Sequence, residues 1–164
     1  MRHAALPFVA FGLVALALAL PAPAAHAMGS TDPAPAKPAV QVNKDFTDGQ
    51  AAIKRKDFKA AVAALARATQ AEPRNADAFN LLGYAHRNLK ELDPAKAAYA
   101  KALAIDANHK GALEYLGELY LLVNDLPAAE QNLAKLDRIC TFGCEEFTEL
   151  KRKIAAFKAG RKSS

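Results

Sequence analysis

The chain has 164 residues, 52% hydrophobic and 24% charged, with only 7% aromatic residues, no tryptophan and a formal net charge of +5. Set against any targeting segment, that is one modest domain, too poor in aromatics for a large globular core and suited to close-packed, alanine-rich helices. No stretch past the N-terminal region alternates apolar and polar positions with β-branched enrichment, which excludes a sheet.

The first element is a targeting segment. Met1-Arg2-His3 is a short basic start, Ala4–Leu20 is apolar and uncharged, and Ala25-His26-Ala27 supplies the small residues that a signal peptidase reads. The segment 1–27 is read as a secretory signal, cleaved before Met28, with cleavage after Ala22-Pro23-Ala24 as the alternative and an uncleaved anchor as the rival. The alanine- and proline-rich style suggests a Gram-negative bacterium and hence the periplasm. Residues 28–41 hold Pro33, Pro35 and Pro38 among alanine, serine and threonine. Such a stretch buries little apolar area and is read as a linker.

Helical patterns follow. Asn43–Arg55 reads as a first helix ending at Lys56-Asp57, and Phe58–Ala71 as its partner, with Ala61, Leu65 and Ala68 inward. Pro73 stops that helix, and Asn75 can cap the next. Phe79, Leu82, His86 and Leu89 share one face of a third helix. After a polar break, Asp93 is expected to cap a fourth, with Pro94 in its first turn, where the missing N–H costs nothing. Ala95, Ala98, Tyr99, Ala102 and Leu103 form that helix's inner face. Gly111–Val123 and Pro127–Ile139 make a third pair. Last, Phe147, Leu150, Ile154 and Phe157 give Cys144–Lys158 one apolar face, with Glu145, Glu146, Glu149, Lys153 and Lys158 expected on the outside.

The pattern repeats every 34 residues. Gly49, Gly83 and Gly117 are so spaced, as are Ala61, Ala95 and Ala129. Leu113, Leu116, Gly117, Tyr120 and Val123 stand where Phe79, Leu82, Gly83, His86 and Leu89 stood one period earlier. A fixed period in this range marks a helical array. The order of large apolar residue, Leu-Gly, apolar or aromatic residue, then Ala, aromatic, Ala and Pro resembles the tetratricopeptide repeat (TPR). The resemblance covers 42–143 as three repeats (42–75, 76–109 and 110–143), with 144–164 as a capping helix and basic tail. It departs from the family at Asp45 and Asp48, in slots usually apolar, and in lacking the usual proline near 106–109. It implies an all-α, right-handed superhelical array of three hairpins plus the cap.

The resemblance also implies a binding surface, the concave face lined by the first helix of each hairpin. Mapped onto this chain, that lining is Phe46, Gln50, Ile53, Lys54, Asn80, Leu81, Tyr84, Arg87, Asn88, Glu114, Tyr115, Glu118, Leu121 and Leu122. Apolar groups beside a few donors and acceptors suit a protein or peptide partner. The cation clamp that the chaperone-binding subset uses for a peptide carboxylate is missing, because its slots hold Phe46, Gln50, Leu81, Gly111 and Tyr115.

Little else points to chemistry. The sequence has no G-x-S-x-G, H-E-x-x-H, phosphate loop or dinucleotide fingerprint, so no catalytic residue and no cofactor are assigned. His86 reads as a helix-packing residue and His109 as an exposed linker residue. Cys140 and Cys144 are the only cysteines. In an oxidising compartment they read as a disulfide joining the last repeat helix to the cap. A cycling dithiol of a redox or electron-transfer accessory is the alternative; a metal site lacks further ligands. The repeat body is nearly neutral, while 144–164 carries six basic and three acidic residues. The charge therefore gives no nucleic-acid groove. It leaves an anionic envelope surface, met by Lys151, Arg152, Lys153, Lys158, Arg161 and Lys162, as a third reading.

Overall fold

The computed structural model describes residues 43–162. The expected signal segment and linker lie outside them. Among the described residues all regular structure is helical: α1 Lys44–Lys54, α2 Phe58–Ala71, α3 Ala76–Asn88, α4 Leu92–Ile105, α5 Lys110–Leu122, α6 Leu126–Ile139 and α7 Glu145–Lys162. None of these helices is long and apolar enough to cross a membrane.

Three antiparallel hairpins (α1–α2, α3–α4 and α5–α6) pack in sequence, and α7 lies against α5 and α6. Odd helices touch their odd neighbours, so α1, α3, α5 and α7 build one side of the array. The core is divided accordingly. Ala52, Ala61, Leu65 and Ala85 form one buried cluster, Ala95, Tyr99, Leu116 and Leu119 a second, and Leu113, Ala129, Leu136, Leu150 and Ile154 a third. The first two clusters each draw on neighbouring hairpins and the third on the last hairpin and α7, because a single hairpin has apolar residues on more faces than it can cover.

The hairpin turns are built alike. Lys56, Lys90 and Asn124 each adopt a left-handed backbone, with φ of 60°, 65° and 63°. At each, the residue's own N–H reaches back to the carbonyl three before it. The next N–H reaches five back, to Ala52, His86 and Tyr120 respectively. This is the paired-bond closure of a helix C-terminus. Asp57 and Asp125 then cap the following helix through the N–H groups of Ala60 and Ala128. In the middle hairpin the cap position is Glu91, without a side-chain cap bond, and the expected cap Asp93 lies inside the first turn. Glu91 instead meets His86 Nδ1 at 2.6 Å.

The small residues mark close approaches. A Cβ on Gly49 would lie 2.5 Å from Leu65 Cγ, and one on Gly83 would lie 2.6 Å from Tyr99 Cε1. At Gly117 the neighbour is Leu150 of α7, 2.6 Å away, and not a residue of α6. The seventh helix thus presses on the third hairpin where the earlier glycines receive the second helix of their own hairpin. His109 also departs from expectation. It is half-buried, accepts the Ala112 N–H at Nδ1 to cap α5, and meets Asp77 through Nε2 at 3.0 Å.

Cys140 and Cys144 are joined by a disulfide, their Cα atoms 5.6 Å apart. Gly143, at φ 82°, lets the chain turn between α6 and α7.

Candidate functional site

Two adjoining recesses open on the side made by the odd helices. The first, about 220 Å³, is lined by Gln50, Ile53 and Lys54 of α1 and Leu81 of α3. The second, about 230 Å³, is lined by Asn80 and Leu81 of α3, Gly111, Glu114 and Tyr115 of α5, and Glu145 and Glu146 of α7. Leu81 borders both. Helical spacing explains the grouping: residues three or four apart, such as Gln50 with Ile53 and Gly111 with Glu114 and Tyr115, project from one face.

Of the residues expected to line a groove, Gln50, Ile53, Lys54, Asn80, Leu81, Glu114 and Tyr115 do line these recesses. Tyr84, Arg87 and Glu118 form a packed polar layer instead. The Arg87 guanidinium lies 5.6 Å from the Tyr84 ring centre and 5.2 Å from that of Tyr115. It is ion-paired with Glu118, which is itself buried. Glu118 also receives Lys153 from α7, so one carboxylate ties α3, α5 and α7 together. The ring centres of Tyr84 and Tyr115 lie 5.2 Å apart, and that of Phe58 lies 6.1 Å from Tyr84. Phe46 packs on the first hairpin's cluster and Leu121 on the third's. Asn88 is exposed and donates to the Tyr84 carbonyl at 2.8 Å.

Among the described residues the buried Asn80 Oδ1 and Arg87 Nε have no hydrogen-bond partner, and the buried Tyr99 Oη faces the Arg87 guanidinium. Burial pushes the Tyr99 hydroxyl well up, and the nearby Arg87 charge pulls it the other way. Burial also pushes the Glu114 carboxyl up, to about 7, with the charges of Glu118, Glu146 and Glu149 adding and Lys153 opposing.

The sequence pattern places Glu145 and Glu146 on the outside of the last helix; Glu145 is exposed and Glu146 half-buried, and both stand on the rim of the second recess. The signal was present in the period. Glu145 stands 34 residues after Gly111, so it occupies the lining slot of a fourth first helix. Lys153, Lys158 and Glu149 are likewise engaged, with Glu118, Glu130 and Arg152 respectively.

Comparison with known proteins adds to this geometry. The family model described as "Tetratricopeptide repeat" matches residues 76–109, the second of the three sequence periods. The chain is similar to tetratricopeptide repeat protein 37 of Xenopus laevis, 33% identical over 104 residues. That match spans 60% of this chain and 7% of the Xenopus protein. Among solved structures, the first TPR of Spaghetti (RPAP3) bound to the HSP90 peptide SRMEEVD superposes with a TM-score of 0.63 at 20% identity. It covers 70% of this chain and 93% of that one. The type III secretion translocator chaperone SycD of Yersinia enterocolitica gives 0.65 at 15% identity, over 72% and 83%. Residues 76–109 thus match a tetratricopeptide repeat, and with the 34-residue period and the stacked hairpins the described residues share the fold of solved tetratricopeptide-repeat domains.

Proposed function

We propose that this protein is a non-catalytic adaptor that holds an extended segment of another protein along the side formed by α1, α3 and α5. The observation that carries the reading is the pair of adjoining recesses on that side, joined at Leu81. Two neighbouring pockets on a rigid helical frame suit alternate side chains of a peptide, with the frame preorganised and little ordering cost on the protein side. The RPAP3 domain, of the same fold, is seen with a peptide bound.

The reading extends to location. A basic start, an apolar run and Ala25-His26-Ala27 fit export to the periplasm, where the Cys140–Cys144 bond serves as a staple and not as a working dithiol. N-terminal sequencing of the envelope fraction should then find Met28 first, and a chain retained with Met1 in the cytoplasm would oppose export.

The adaptor reading is tested by photocrosslinking in cells. A photoreactive residue at Gln50, which is exposed on the first recess, should yield discrete adducts. The same residue at Lys135, exposed on α6, should not. Equal labelling from both positions, or none from Gln50, would oppose the proposal.

A further inference from the structure

We propose that the second recess, between α3, α5 and the start of α7, is a cation subsite that takes the ammonium or guanidinium end of a Lys or Arg side chain from the bound segment. The inference rests on the adaptor reading and names what one of its two recesses selects.

The charge of the lining is one-sided. Glu114, Glu145 and Glu146 all border the recess. Among the described residues none of the three is in a salt bridge. The nearest cation acting on Glu114, Lys153, is already held by Glu118 and Glu149. Glu145 is exposed, but Glu114 is buried and Glu146 half-buried; such carboxylates are costly without a counter-charge, and a cationic guest offsets that cost.

Glu114 gives the sharper pointer. It is 8% exposed, lines the recess, and among the described residues its carboxylate has no salt bridge. Buried polar groups are nearly always satisfied, so an unpartnered carboxylate here calls for a donor from outside. An ammonium or guanidinium group has donors and no acceptor, and the recess presents carboxylates.

Size and shape narrow the guest. At about 230 Å³ the recess is smaller than sites for drug-sized ligands, which begin at roughly 300 Å³. It matches one long side chain. Gly111 keeps the opening narrow-walled but free: a Cβ there would come within 3.0 Å of Asn80 Nδ2. Tyr115 and Leu81 give apolar walls for the methylene stem of the guest. A bare metal ion is not favoured, since among the described residues no three His, Cys, Asp or Glu side chains gather closely enough to hold one. The elevated Glu114 carboxyl is what a site lacking its cation should show.

The test uses random peptides displayed on phage, selected at pH 8 on the full chain. Enriched peptides should share a Lys or Arg at a fixed position. In a synthetic copy, replacing that residue by norleucine should weaken binding about tenfold, which is the effect of a 1.4 kcal/mol contact. Glu114→Gln and Glu146→Gln should each weaken the Lys peptide and leave the norleucine peptide unchanged. Two results overturn the subsite alone: enriched peptides without a basic position, or a basic position indifferent to both variants. If no peptide is enriched, both the subsite and the adaptor reading fall. Circular dichroism of the variants separates loss of binding from loss of fold.

Discussion

Arg87 is the residue on which the odd-helix side turns. Its guanidinium is stacked near two tyrosine rings and ion-paired to a buried glutamate. A planar fork serves both contacts at once; a lysine ammonium serves neither well. Arg87→Lys should therefore lower stability by about 1–3 kcal/mol, read from urea unfolding. Arg87→Met should cost more, since Glu118 would keep only Lys153 as partner. At Glu114 the consequence is a pH dependence. Its folded pKa, about 7, lies above the ordinary 4.5, so between those values the folded state binds more protons than the unfolded state. Stability from this group is full below pH 4.5 and is lost as pH rises through 7. The groups facing it are Glu118 on α5 and Glu146, Glu149 and Lys153 on α7. Comparing unfolding free energies at pH 5.5 and 7.5 should show that slope in the native chain and a flatter one in Glu114→Gln; equal slopes would contradict it. These features were the least legible in the sequence. Glu114 and Glu118 read as groove charges because carboxylates default to solvent. The burial of Glu118 is offset by Arg87, 31 residues before it, and Lys153, 35 after it.

Single helices and turns were much more legible. Phe79, Leu82 and Leu89, or Phe147, Leu150 and Ile154, announce their faces by spacing alone, and the 34-residue interval marks Gly49, Gly83 and Gly117 as matching slots, though the neighbour of Gly83, Tyr99, comes from the structure. What spacing does not give is which partner fills a gap. Gly117 shares its slot with Gly83 yet meets a helix that belongs to no hairpin. The choice between Glu91 and Asp93 as cap was likewise set by the length of the turn before α4. Two predictions belong at this scale. Gly83→Ala would ordinarily help a helix by up to about 1 kcal/mol. Here the buried Tyr99 ring stands in the way, and a net loss of about 1–3 kcal/mol is expected in thermal or urea unfolding. Glu91→Asp gives α4 the cap that Asp57 and Asp125 give α2 and α6. It should raise stability by about 0.5–1 kcal/mol, despite the lost contact with His86.

At the scale of the whole array, hairpins meet only their neighbours, and stability is shared along the stack. The carboxyl-terminal end is fastened several ways. The disulfide links α6 to α7, Lys153 ties α7 to α5, and Lys158 pairs with Glu130 of α6. A loop of so few residues adds about 2 kcal/mol through the unfolded state, so Cys140→Ser/Cys144→Ser should lose about that much in urea unfolding. Among the described residues the first hairpin has no such fastening. Its outward charges form the pairs Lys44–Asp48 and Arg67–Asp45, which lie at the surface and contribute little. The stack consequently has a polarity. Fraying should begin at α1 and travel inward, so amide hydrogens of α1 should exchange with solvent sooner than those of α5. A peptide gripped across α1 and α3 would act as a clasp on the loose end, and binding would be felt first as slower exchange there.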